Sequence, residues 1–344
     1  MSFIRAGRAV NRDPKIEQLA FRIVHQGRKR TLHQRYNMDE FYDLAKAKDT
    51  IQKLSEESTK SNKYHLSRII KEGSQMMNVS LQKDDDDFVW CLIKGGAEET
   101  EEIVFACTGV ICEVDLPPVI RSPGVGRDKT ITLSQSMTLT GLGCVAFDET
   151  IATLQEIRLT GEREFKNGML EKWTPSTYRG FPAFSISNWY FRMAKEGGQY
   201  EAIEFSKDVD PVGILQRLGK TDVAHTEDNE VQYFKANVND KGKRWFQRAR
   251  PQLFRIGDIV EVQCSVIMFK AKGAKHRMKL VLRAIAMLDC NMTLDAKRMS
   301  SKCLAPEDTG PKRLKRKIGF TDKESCEDVA AKRAKEGPTM DETA

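Results

Sequence analysis

Phe254-Arg255-Ile256-Gly257-Asp258 runs into Ile259-Val260-Glu261-Val262-Gln263-Cys264-Ser265-Val266-Ile267-Met268-Phe269 and, after a break near Gly273, into Lys279-Leu280-Val281-Leu282-Arg283-Ala284-Ile285-Ala286. Side-chain character alternates here with the two-residue period that sends successive residues of a strand to opposite faces. In the first run Val260, Val262, Cys264, Val266 and Met268 share a face, with Glu261, Gln263, Ser265, Ile267 and Phe269 opposite. In the second, Leu280, Leu282, Ala284 and Ala286 are expected together, with Lys279, Val281, Arg283 and Ile285 facing away. Two long antiparallel strands follow from that pattern. Just upstream, Val231 to Ala236 and Arg244 to Arg248 flank Asn239-Asp240-Lys241-Gly242, a composition that suits a hairpin turn.

Charge is concentrated in the same region. From Lys235 to Arg283 thirteen lysines and arginines stand against Asp240, Asp258 and Glu261, a local net charge of +10 in a chain whose total is +7. The remainder is therefore net acidic, notably at Asp84 to Asp87 and Glu98 to Glu102. Tyr233, Phe234, Trp245, Phe246 and Phe269 are interleaved with the cations. Single-stranded nucleic-acid binders combine a cationic track with aromatic rings on which bases stack. Alternation keeps Tyr233 and Phe234, and likewise Trp245 and Phe246, from burying both rings on one face. The expected contacts are phosphates on Lys243, Arg244, Arg248, Lys270, Lys279 and Arg283, and bases on Tyr233, Trp245 or Phe269. The same pattern also suits a basic sheet whose outer face is merely solvated.

Over residues 231–289 the Phe254 to Val262 run and the basic hairpin resemble part of an OB-fold barrel of the kind found in single-stranded DNA-binding proteins. Across the chain, in Val231-Gln232-Tyr233-Phe234-Lys235 and Phe254 through Asp289 above all, the sequence also resembles a recurrent protein type of mushroom-forming fungi. That second resemblance implies no catalytic residue.

Working outward, residues 1–83 read as a basic helical region, with Phe41, Leu44, Ile51 and Leu54 at helical intervals, Asp39 as a cap, and a second helix carrying Leu66, Ile69 and Ile70. Residues 84–150 read as a β-rich domain with strands at Phe88 to Ile93, Ile103 to Val114, Ile131 to Leu139 and Cys144 to Phe147. Residues 151–230 form a mixed connecting region. There Phe181, Phe184, Trp189, Tyr190 and Phe191 are read as core, and Asp210-Pro211 opens a short helix. Residues 231–295 form the basic barrel-like module. Residues 296–344 form a charged tail that lacks the apolar content to fold. The expectation is an α+β protein with a helical N-terminal region, a β-rich middle, an OB-like β-barrel module and a disordered tail.

The tail carries Lys312, Arg313, Lys315, Arg316 and Lys317, a dense cationic run of the kind a nuclear import receptor reads, so the expected location is the nucleus. The opening MSFIRAGRAVNRDPK lacks the apolar segment of a secretory leader, and no stretch is apolar for the length of a bilayer. The eight cysteines include no CxxC pair, which argues for free thiols rather than a zinc site or disulfides. Phosphate-loop, HExxH, GxSxG and dinucleotide motifs are missing, so neither an enzyme nor a cofactor is expected. The leading function is non-enzymatic binding of nucleic acid, single-stranded DNA before RNA. One alternative is a structural or protein-interaction module that meets an acidic partner or its own acidic stretch at 84–102. Another is a metal-dependent nuclease in which the Glu-x-Lys spacing of Glu162-Arg163-Glu164-Phe165-Lys166, with Asp148 or Glu149, places two carboxylates and a lysine around magnesium. Oligomeric state has no signature in the sequence.

Overall fold

A computed structural model describes residues 38–72, 79–83, 89–95, 100–124, 127–193, 201–219, 222–271, 273 and 275–303. In chain order these form α1 (Leu44–Ser61), α2 (Leu66–Glu72), β1 (Val79–Lys83), β2 (Val89–Gly95), β3 (Thr100–Glu102), β4 (Val104–Asp115), β5 (Ser134–Thr140), α3 (Val145–Glu162), β6 (Ser176–Tyr178), β7 (Phe181–Trp189) and β8 (Arg192–Met193). There follow α4 (Ile214–Leu218), β9 (Val223–Ala224), β10 (Gln232–Val238), β11 (Arg244–Arg248), β12 (Ile259–Lys270), β13 (His276–Asp289) and α5 (Asn291–Cys303). The α+β class with N-terminal helices and a large sheet is as the sequence implied. The cationic run at 312–317 lies outside the described residues, as does most of the tail.

The strands order as β11-β10-β13-β12-β4-β5-β7-β6, with β1, β2 and β3 branching from β12. This is an open path, so no closed barrel forms among the described residues. The long hairpin anticipated from the alternation is its centre: β12 pairs antiparallel with β13 on one side and with β4 on the other. Strands from the stretches 84–150, 151–230 and 231–295 thus build one sheet. The sheet curls, because Asn188 Nδ2 on β7 donates to the Leu282 carbonyl of β13 at 3.1 Å. The Tyr233 hydroxyl of β10 likewise reaches Gln135 Oε1 on β5. Core residues including Phe105, Ile111, Leu139, Ile186, Val262, Leu282 and Ile285 belong to one buried hydrophobic cluster.

The expected phase of β13 holds only as far as Leu282. Gln263 pairs with Ala284 but Cys264 pairs with Leu282, so Arg283 is an extra residue in a β-bulge. A bulge opposes two residues to one, which shifts the alternation. Ile285 and Met287 therefore join Leu280 and Leu282 across from Val262, Val260, Val266 and Cys264. A second difference concerns Cys144 to Phe147, which start α3 instead of forming a strand. Gly143, with φ 77, and Leu142, with φ 52, turn the chain out of β5 just before them. The cap of α1 is Asp43, whose Oδ1 accepts from Lys46 N at 2.9 Å, while Asp39 closes a local turn on Phe41 N. Asp210 does serve α4, accepting from Ile214 N at 2.7 Å and Gln216 N at 2.9 Å. Phe184, Tyr190 and Phe191 are core, as expected.

The Gly257-Asp258 turn fixes the start of β12. Gly257 donates to Ile111 O at 2.8 Å and its own carbonyl accepts from the Tyr42 hydroxyl at 2.6 Å. The turn is thereby tied both to β4 and to the segment preceding α1.

Candidate nucleic-acid interface

The Asn239–Gly242 turn is built as its residues imply. Asn239 Oδ1 accepts from Lys241 N at 3.1 Å and Lys243 N at 2.7 Å, and Gly242 takes a positive φ of 74°. β10 bonds to β13 through Gln232 to Lys235, and beyond that point its ladder partner is β11. Ala236 to Phe246 therefore forms a two-stranded arm at the sheet edge. Two-stranded ribbons are marginal by themselves, and this one is braced at Arg244. Its Nη2 donates to Glu57 Oε2 at 2.9 Å, and Nη1 to Ser58 Oγ at 3.4 Å, on α1.

On the arm Val238 is 66% exposed, Trp245 49% and Phe246 48%. Lys235, Lys241, Lys243 and Arg248 are exposed around them. Arg248 lies 4.9 Å from the centroid of the Phe234 ring, which holds the guanidinium over an aromatic face. Register places Asn237 across from Trp245 and Ala236 across from Phe246. The two half-exposed rings consequently occupy opposite faces.

The remaining sequence-selected residues are placed elsewhere. Tyr233 is 5% exposed, packs against Phe254, and its phenol pKa is pushed well up by burial. Its ring is withdrawn from any stacking surface, because Phe234 and not Tyr233 takes the outward position. Lys279 folds its ammonium over the Trp189 ring, 2.8 Å from the centroid, and desolvation holds its pKa well below the usual lysine range. Phe269 meets the same Trp189 edge-on at 6.2 Å. With exposed Lys270, these residues lie at the β12–β13 hairpin end, whereas the arm joins β13 at Ala284 to Met287. Met287 is eight positions beyond Lys279, about 27 Å of strand at about 3.4 Å each. The nine residues therefore do not form one surface.

Arg283, re-aimed by its bulge, is a structural clasp. Its Nη2 donates to both carboxylate oxygens of Glu102 at 2.9 Å, Nη1 to Asp228 O at 2.7 Å, and Nε to Ser265 Oγ at 3.0 Å. Glu102 belongs to the acidic stretch that the sequence opposed to this basic region.

No family model matches the chain. No curated protein matches it either. Among solved structures, the single-stranded DNA binding protein encoded by bacteriophage T7 is similar over 54% of this chain and 91% of that chain. The identity is 12% and the TM-score 0.29.

The nuclease arrangement does not assemble. Asp148 lies in the first turn of α3 and Glu149 beside it, whereas Glu164 comes after the helix has ended at Glu162, a point about 20 Å from them at about 1.5 Å per residue. Glu162 is instead paired with Arg158 at 3.0 Å. Among the described residues no three His, Cys, Asp or Glu side chains are grouped to hold a metal ion. Cys91, Cys107, Cys112, Cys144, Cys264 and Cys290 are not joined in disulfides. No described helix is long and apolar enough to cross a membrane.

Phe246 and Phe234 are the site residues that sequence reasoning left out. Both were in view as aromatics among cations. What selects Phe246 is the end of the β10–β13 ladder at Lys235, which leaves the arm uncovered, while Phe234 lies within that ladder opposite Ala286 and is marked by the Arg248 guanidinium over its ring.

Proposed function

We propose that the chain is a nuclear, non-enzymatic nucleic-acid-binding protein that takes single-stranded DNA, ahead of RNA, on the β10–β11 arm. The observation that carries this reading is the exposure of Trp245 and Phe246 among Lys235, Lys241, Lys243 and Arg248. Large exposed rings cost solvation unless something covers them, and bases do so sequence-tolerantly while the cations neutralise phosphates. Lys279 and Arg283 then act by holding the sheet together, and Arg244 by bracing the arm.

Four arm cations imply a plot of log affinity against log salt with a slope of about −3 for a single strand. Filter binding of a labelled oligonucleotide between about 50 and 200 mM salt measures it. Trp245→Ala should weaken binding about five- to 150-fold, the equivalent of about 1–3 kcal/mol for one stacked base. Absence of salt-sensitive affinity for any DNA or RNA would sink the proposal.

Nuclear location rests on the 312–317 run. Replacing Lys312, Arg313, Lys315, Arg316 and Lys317 by alanine is expected to move a fluorescent fusion from nucleus to cytoplasm. Unchanged nuclear accumulation would remove that part of the reading.

A second reading, a protein-interaction module for acidic partners, draws on the pairing of Arg283 with Glu102 and Arg244 with Glu57. It predicts that purified protein carries no nucleic-acid absorbance, whereas the leading reading predicts absorbance lost on charge reversal at Lys243.

A further inference from the structure

We infer that the tip of the β12–β13 hairpin, together with the turn that follows α3, is a second phosphate-binding surface, so that a long single strand is held at the arm and at this tip at once. The inference rests on the arm being a nucleic-acid surface and adds a separate site and a dependence on strand length. Lys270 and Lys275 belong to the basic stretch of the sequence but lie at the end of the hairpin away from the arm. The turn after α3 is laid against that end. Met169 O accepts from His276 N at 2.7 Å, and Glu171 N donates to His276 O at 2.8 Å. Arg277 donates to both carboxylate oxygens of Glu171. The Phe165 ring stacks on His276 with centroids 4.3 Å apart, and Trp90 meets both rings edge-on.

Four exposed lysines stand around this packed centre. Lys166 follows Phe165, Lys275 precedes His276, Lys270 is the ladder partner of His276, and Lys172 follows Glu171. The Lys270 charge reaches the centre, since after burial it is the second cause that lowers the His276 pKa. Among the described residues Lys166, Lys172 and Lys275 make no ion pair. Of the carboxylates between positions 162 and 172, Glu162 is held by Arg158 and Glu171 by Arg277, which leaves Glu164 to offset the lysines. A surface of one sign, fixed on a packed base, concentrates the opposite ion. The phosphate chain already drawn to the arm is such an ion. From His276 to Met287, where Lys235 joins β13, is 11 positions, at most about 37 Å at about 3.4 Å each. A stacked strand rising about 3.4 Å per nucleotide covers that with about 11 nucleotides.

The test is fluorescence anisotropy of the full chain with labelled oligo-dT of about 5 and about 20 nucleotides, the first too short to reach both sites at that rise. The variant carries Lys166→Gln, Lys172→Gln and Lys275→Gln together. Since a longer strand offers more registers to any site, the readout is the change on mutation. For the long strand the variant should lose about a hundredfold in affinity, the low end of the gain from linking two sites. Its slope of log affinity against log salt should fall from about −5 to about −3, since three cations contribute about 0.7 each. The short strand should bind the variant as it binds wild type. Trp245→Ala should weaken both strands. Long-strand affinity and slope unmoved in the variant overturn the inference and leave the binding function standing. That would be the outcome if the chain's own Asp84 to Asp87, which follow the ladder partner of Trp90 in sequence, screened the tip. Equal losses for the two strands overturn it too, because the lysines would then act through the arm or the fold. Failure of wild type to bind either strand overturns the function itself.

Discussion

Gly257→Ala is expected to destabilise the fold by about 2–5 kcal/mol, measured as the shift of the urea unfolding midpoint. Gly257 has φ 96°, where an L side chain costs about 1–2 kcal/mol. A Cβ there would lie 2.9 Å from both Tyr42 Cε2 and Thr293 Oγ1. Neither neighbour yields easily. Tyr42 is 6% exposed with its hydroxyl bonded to the Gly257 carbonyl, and Thr293 is buried on α5. Forcing a methyl into such packing costs about 1–3 kcal/mol more. Gly242→Ala separates the two contributions, since its φ of 74° is also positive but no atom lies within 4 Å of the added Cβ. That variant should lose about 1–2 kcal/mol. Equal losses at the two positions would mean that the contacts of Tyr42 and Thr293 with the turn contribute nothing.

The same Gly-Asp turn and the strand after it were the most legible part of the sequence, because a half-buried strand writes its two faces in alternate letters. Val260, Val262, Cys264, Val266 and Met268 do share the core face. Legibility ended at Arg283, since a bulge adds one residue without changing the hydrophobicity of its neighbours. α3 was missed for a different reason. Its buried positions include Thr150, Thr153 and Gly161 beside Ile151, Leu154 and Ile157, so small polar residues interrupt the apolar stripe. At its start, the short run Cys144 to Phe147 with β-branched Val145 and aromatic Phe147 reads locally as strand. At the candidate site, alternation correctly forbade burying Trp245 and Phe246 on one face. It did not say which of Tyr233 and Phe234 turns inward, since that depends on Gln135 and Phe254 arriving from other strands. The folding of Lys279 over Trp189 joins residues 90 positions apart in sequence and leaves no local pattern.

Stability should fall by about 2 kcal/mol as pH drops from about 7.5 to about 5, with His65 the main source. His65 is 1% exposed, with Nδ1 2.9 Å from Ser67 Oγ and Nε2 3.3 Å from Thr108 Oγ1. Burial disfavours its cation and lowers its pKa from 6.5 to about 4. In the unfolded chain the imidazole takes a proton near pH 6.5, while the folded chain refuses it until about pH 4. Across that window the unfolded state binds more protons, so stability rises with pH and is lost on acidification. His225 and His276 are also lowered, both by desolvation first, and add with the same sign. Asp258 and Glu261 act in the opposite sense, because desolvation raises both carboxyls and the folded state then holds the extra proton. Their contribution grows towards the carboxylate range, which is why the expected loss is read above about pH 5. Urea midpoints collected across this range test it, with His65→Gln as the control that retains a hydrogen-bonding side chain and removes the titration. The control should be less stable than wild type at neutral pH and flatter against pH. If the two slopes coincide, the acid sensitivity belongs to other groups and the buried pairing of His65 with Ser67 and Thr108 contributes nothing to it.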